Sequence, residues 1–202
     1  ICFRIDQFWR YDCVNDEFTN RFNDDVVFRF WIGGYHVVVL NCDYNCPDST
    51  GFVEPHFFAG FSGGPKMVAP GLAGFQTIMR LHDAEMIRSP NALWGITEGN
   101  PIHDAIRRIA RRSRVDFSVD VAINRDRQIT HVTAGELFAV HRAVRTVVRE
   151  NAMQAFEHPF DVVVTTNSGY PLDQNLYQTV KGMSAAAQVV KPQGVIVCAS
   201  AC

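Results

Sequence analysis

The sequence predicts an α/β protein in two parts: a mixed α/β domain over residues 1–150 and the beginning of a Rossmann-like domain over 158–202. Three observations carry this. Strand-like and helix-like periods alternate from Gly51 onward. The pattern breaks at "ENAMQAFEHP", which reads as a linker. Beyond it, "FDVVVTTNSGYP" runs continuously apolar and then turns polar around a glycine, the way a strand buried in a parallel sheet ends at a site.

Taken in order, "VVFRFW" and "YHVVVL" are β-branched and aromatic, with Gly33 and Gly34 between them, and read as a hairpin or two neighbouring strands. Nothing before Val26 has a clean period. "GFVEP" fits a strand end. "GGPKMVAPG" puts Pro65 at the first position of a helix, which Pro70 and Gly71 stop or kink. "FQTIMRLHDAEMI" reads as one helix over 75–87. Asn100 and Pro101 are an N-cap and N1 pair. In "IHDAIRRIARRSR" that follows, Ile102, Ala105, Ile106, Ile109 and Ala110 share a face, leaving the arginines on a solvated one. "VDFSVDVAIN" sets Val115, Phe117, Val119 and Val121 against polar partners as a half-buried strand, and "QITHVTA" is another. "ELFAVHRAVRTVVRE" is a helix. After the linker come a strand, a helix over 175–190 with a core stripe of Leu176, Val180, Met183, Ala187 and Val190, and a strand over 194–200.

Composition narrows the function. A formal charge of -2 predicts neither a nucleic-acid binder nor a polybasic membrane anchor. No apolar run approaches the roughly 20 residues of a membrane helix, and "ICFRIDQFWR" is no secretory start. None of the six cysteines lies between 47 and 197, which argues against a disulfide framework and for a reduced, cytoplasmic setting. Cys42–Cys46 and Cys198–Cys202 share a C-x3-C spacing that two-plus-two zinc sites use. "GVIVCASAC" reads better as a buried strand with cysteine as a small apolar residue. The chain opens without methionine and reads as a fragment or a processed product.

The chemistry-bearing stretch is "HFFAGFSGGPK", with His56 before a glycine-rich turn and Lys66 after it. It is not a nucleotide phosphate loop. Pro65 removes an N–H where the cradle needs one, and Met67 stands where a magnesium-binding hydroxyl belongs. A lysine in the first turn of a helix, after Ser62, Gly63 and Gly64, sits where an anion is favoured and an ammonium is not. A neutral, nucleophilic amine there suits covalent attachment of an anionic cofactor; a plain surface lysine is the other reading. His103, His131, His141 and His158 are assigned no catalytic role, and His36 is left open.

The longer segment "EPHFFAGFSGGPKMVAPGLAGFQTIMRLH" resembles the signature of the nickel-pincer lactate racemase family. "TEGNPIHDAI" and "SGYPLDQNLYQTVKGM" resemble later segments of it. The resemblance covers roughly 51–202, and 25–50 only faintly. It implies racemisation or epimerisation at C2 of a 2-hydroxy acid by proton-coupled hydride transfer. It implies a pyridinium-3-thioamide-5-thiocarboxylic acid mononucleotide, the nickel-pincer nucleotide, joined to Lys66 and supported by Ser62, Gly63 and Gly64. Nickel(II) would be gripped by the cofactor's carbon and two sulfurs, with His82 as fourth ligand, a soft donor set that suits this ion. His56 would be one catalytic base. Gln178 and Lys181, three apart on the 175–190 helix, would contact the substrate carboxylate and hydroxyl. The implied partners are a small 2-hydroxy acid (lactate, malate or larger) and the cofactor-maturation enzymes. The family's second base and a substrate-binding arginine lie upstream and have no counterpart in residues 1–50, and the family runs on past Cys202. The resemblance therefore implies a partial chain whose first domain lacks its N-terminal part. The alternative is a truncated module that binds cofactor or substrate without turnover.

Overall fold

The computed structural model describes residues 27–32, 35–40, 48–170 and 172–202. Cys2, Cys13, Cys42, Cys46 and the Gly33–Gly34 turn lie outside the described residues. The chain divides into two compact units, one reaching to Met153 and one from Gln154 to Cys202. Both combine helices with strands, as the α/β expectation requires. Among the described residues no helix is long and apolar enough to cross a membrane.

In the first unit, β1 (Val27–Ile32) and β2 (Tyr35–Leu40) pair antiparallel, Val27 opposite Leu40 and Ile32 opposite Tyr35. β3 (Asp48–Phe52) runs parallel to β6 (Phe117–Ile123), and β7 (Ile129–Gly135) is antiparallel to β6. Between β3 and β6 lies the segment that carries the sequence motif. It contains the short antiparallel pair β4 (Pro55–His56) and β5 (Gly60–Phe61), then a single 3₁₀ turn, Gly64–Met67. α1 (Phe75–Leu81), α2 (Ala84–Ile87) and α3 (Pro101–Arg112) follow, and α4 (Leu137–Ala152) closes the unit.

Three sequence expectations change here. The helix expected from Pro65 is only a 3₁₀ turn. Gly63 and Gly64 enter it at φ 71° and 48°, and its four residues are too few for a helix dipole of any size. The helix expected over 75–87 splits at His82 and Asp83, because the Asp83 carboxylate accepts from Glu85 N–H at 2.8 Å and caps a new start. β6 has the expected period of two but the opposite face inward. Ser118, Asp120 and Ala122 are buried, and Phe117 is 45% exposed. The apolar stripe of α4 (Leu137, Val140, Val144, Val148) carries His141 within it. Val144 and Val148 join Val53, Phe61 and Ala122 in one core cluster.

α3 matches its reading closely. Asn100 caps it, accepting from Ile102 and His103 N–H at 3.0 and 3.2 Å. Its amide also donates to the carbonyls of Phe58 and Ile96, both at 2.9 Å, so a cap fully out of water also pins the motif segment. Of the arginines on the outer face, Arg107 and Arg111 lie over the Phe138 ring at 4.6 and 5.5 Å.

In the second unit, β8 (Phe160–Thr166) and β9 (Val190–Ala199) are parallel, joined through α5 (Leu176–Ala187). The stripe expected to pack α5 faces outward, with Leu176 67% exposed and Val180 and Met183 above a third. Gln178, Thr179, Gly182 and Ala186 face in instead. Gly182 decides this. A Cβ there would stand 2.3 Å from the Thr166 carbonyl oxygen, so only a glycine lets the helix come this close to β8.

Candidate functional site

The motif side chains are held by backbone contacts that set their chemistry. His82 caps α1, and its Nδ1 lies 2.8 Å from the Ile78 carbonyl oxygen. A carbonyl only accepts, so Nδ1 carries the proton and Nε2 keeps the lone pair. That is the tautomer of an Nε2 metal ligand, oriented as ligating histidines usually are. His56 is held in the opposite sense. Its Nδ1 accepts from Ala59 N–H at 3.2 Å and Phe58 N–H at 3.5 Å, which puts the proton of the neutral ring on Nε2.

Both histidines meet the buried Phe58 ring. His56 meets it edge-on at 4.6 Å between centroids and His82 at 5.2 Å. Phe58 packs with Ala59, Ala69, Leu81 and Ile102, which binds the turn between β4 and β5, the chain after the 3₁₀ turn, α1 and α3 into one cluster.

Lys66 lies in the 3₁₀ turn and is only 6% exposed. A side chain of this type is rarely so buried, and the turn around it is tightly specified. A Cβ on Gly63 would stand 2.7 Å from Val53 Cγ2, and one on Gly64 2.5 Å from the His141 ring. The Ser62 hydroxyl donates to Phe52 O at 3.0 Å and accepts from Glu54 N–H at 2.9 Å. Ser62 thus ties β5 back to the end of β3, its hydroxyl committed to the backbone.

Beneath the turn lies a polar layer that the sequence reading passed over. Asp120 of β6 accepts from Gly64 N–H at 3.2 Å, and His141 of α4 donates from Nε2 to Ser62 O at 2.9 Å. Burial pushes the Asp120 carboxyl up to about 6, against the pull of that amide. Burial and then the Arg145 charge drive His141 down to about 3. The His103 ring stacks on His141 at 6.1 Å, and Arg145 donates to its Nε2 at 3.4 Å. Burial and the same arginine lower His103 to about 4. Burial first, then neighbouring arginines, bring Arg145 itself down to about 10. Both rings are therefore neutral at physiological pH. One signal for His141 was available in the sequence: a histidine on an otherwise apolar helix stripe.

In the second unit Gln178 is buried and Lys181 half-buried on α5, whose start is capped by Asn175. At the carboxyl ends of β8 and β9, Ser200 Oγ donates to Asp173 O at 3.1 Å and meets Thr179 Oγ1 at 2.6 Å.

Comparison with known proteins bears on the same residues. The Lactate racemase N-terminal domain matches residues 36–95, which hold His56, Lys66 and His82, and the Lactate racemase C-terminal domain matches 155–202, which hold Gln178 and Lys181. The chain belongs to the lactate racemase family. It is 43% identical over 152 residues to the lactate racemase of Thermoanaerobacterium thermosaccharolyticum, covering 75% of this chain and 35% of that one. It is 43% identical over 150 residues to that of Lactiplantibacillus plantarum, covering 74% and 35%. The solved lactate racemase apoprotein from T. thermosaccharolyticum superposes with a TM-score of 0.74 at 42% identity, over 77% of this chain and 37% of that one. The chain thus spans about a third of the length of the lactate racemases it matches.

Proposed function

We propose that this chain carries the cofactor-attachment region, and the opening of the substrate-binding domain, of a racemase or epimerase acting at C2 of a 2-hydroxy acid. The observation that carries the reading is the pairing, within one family-matched segment, of a buried lysine on a glycine turn with an imidazole locked in the metal-ligand tautomer. Lys66 holds a nickel-pincer nucleotide, with Gly63 and Gly64 shaping its turn, and His82 completes the coordination of nickel(II). The donor set fits. A neutral imidazole with its lone pair on Nε2 is a donor that suits nickel(II). When bound, that group supplies a hydride acceptor for the substrate's C2 hydrogen.

The chain's own residues move protons and orient the acid. His56, with Nε2–H, is set to donate to a C2 oxygen. Taking the hydroxyl proton there requires the ring to give up its Nδ1 contact with Ala59. Gln178 and Lys181 grip the carboxylate and hydroxyl of a small 2-hydroxy acid. The cofactor-maturation enzymes are the implied partners. The free thiols of Cys198 and Cys202 suit a reducing, cytoplasmic setting.

The test is chiral analysis of single enantiomers of lactate, malate and larger 2-hydroxy acids incubated with protein co-produced with the maturation enzymes. In a complete parent enzyme, interconversion that falls about 10²–10⁴-fold in His56→Ala supports the reading. An intact adduct with no interconversion of any 2-hydroxy acid reassigns the chain as a binding module without turnover.

A further inference from the structure

Residues 62–64 are held from below by two side chains that neither the motif nor the proposed reaction uses. Asp120 reaches Gly64 N–H from β6, and His141 reaches the Ser62 carbonyl from α4, one on each side of Gly63. They are 0% and 1% exposed. Two glycines make room for the pair: a Cβ on Gly51 would stand 2.3 Å from Asp120 Oδ1, and one on Gly64 would stand 2.5 Å from the His141 ring. Neither side chain is an economical choice for packing. Asp120 Oδ2 and His141 Nδ1 are buried with no hydrogen-bond partner among the described residues, so each group carries a desolvation cost that an apolar residue would avoid. What the pair gains is two directed hydrogen bonds, both to the backbone that leads into Lys66.

We propose that Asp120 and His141 are positioning residues that fix the 62–64 backbone and, through it, hold the Lys66 side chain in one conformation for covalent attachment. The proposal rests on the reading of Lys66 as the attachment residue, but its test needs no cofactor. In the full 202-residue chain, Lys66 and the partly exposed Lys191, whose ammonium pairs with Asp161, are acetylated with an amine-reactive ester and quantified by peptide-resolved mass spectrometry, while hydrogen exchange is followed at the Gly64 amide. Asp120→Ala is expected to speed Gly64 exchange about tenfold or more and to change the Lys66/Lys191 labelling ratio by a similar factor, the effect of losing one buried acceptor. Asp120→Asn, which keeps the acceptor oxygen, is expected to restore both. His141→Leu should act like Asp120→Ala, and His141→Gln, which keeps a donor, should rescue it.

If Asp120→Ala does not fold, the His141 pair decides by the same criteria. Folded variants within about twofold of the parent in both readouts would overturn the proposal, since that is the scatter expected of a substitution without local consequence. So would conservative variants as perturbed as the truncations. A clamp that passes this test in a chain whose Lys66 never accepts cofactor would sink the attachment reading and leave the clamp standing.

Discussion

His82 turns its Nδ1 onto the Ile78 carbonyl at 2.8 Å, four residues back along the chain. This one bond decides which ring nitrogen keeps a lone pair, and it is made at the cap of α1, on a carbonyl that also accepts the His82 backbone N–H at 3.1 Å. His82→Ala is expected to lose nickel by about tenfold or more while the organic adduct stays on Lys66, since the proposed ligand and the proposed tether are different residues. Metal analysis beside intact mass reads both. Unchanged nickel stoichiometry would remove His82 from the coordination sphere.

Phe58 meets both motif histidines edge-on and belongs to the core cluster of the segment. Phe58→Ala should cost about 3–5 kcal/mol, the range for emptying a buried aromatic site. Phe58→Leu should cost under about 1.5 kcal/mol, since it keeps most of the volume. Urea unfolding measures both. A loss below about 1 kcal/mol for the alanine variant would contradict the packing described.

The buried histidines predict the sign of the pH dependence. His141 and His103 fall from 6.5 to about 3 and about 4, so each contributes stability that is present above pH 6.5 and lost as pH falls through the folded value. Asp120 rises from 3.8 to about 6, so its contribution is present below pH 3.8 and lost as pH rises through 6. Between pH 6 and 4 the unfolded chain binds two protons at the imidazoles that the folded chain refuses, and the folded chain binds one at Asp120. Stability should therefore fall on acidification by about 1.4 kcal/mol per pH unit across that window. Removing the opposing proton in Asp120→Asn should steepen the slope. A flat profile from pH 6 to 4 would contradict neutral burial of the two rings, which Arg145 and Arg107 flank.

Gly182 should not tolerate a branched side chain. Gly182→Val would drive its Cβ into the Thr166 carbonyl and lift α5 from β8, at a cost of about 1–3 kcal/mol. Hydrogen exchange in the peptides of β8 should rise selectively, with α4 unchanged. Protection in β8 equal to that of the parent would show that the helix does not depend on the close approach.

The same two contacts explain what the sequence concealed. Periods were legible: β6 alternates, α5 has an apolar stripe, and Asn100 caps α3 where the Asn-Pro pair marks it. Faces were not. In β6 the inward face was assigned to Val119 and Val121, yet Asp120 is drawn inward by the Gly64 amide and α4 closes over it. In α5 the inward face was assigned to Leu176, Val180 and Met183, yet Gly182 brings the small, polar side onto the strands. Both reversals depend on backbone meeting backbone or side chain at distances that residue types alone do not encode. The motif residues His56, Lys66 and His82 could be named from their order in the sequence. Asp120 could not, because it lies 56 residues from the amide it holds.

The central claim is that Lys66 is the attachment residue, and peptide mapping of protein co-produced with the cofactor-maturation enzymes tests it most directly. A nucleotide-sized mass increment confined to the peptide containing Lys66, absent from Lys66→Ala and present in His82→Ala, is the predicted result. The same increment on another lysine, or an unmodified Lys66 under conditions that load a full-length lactate racemase, would contradict it.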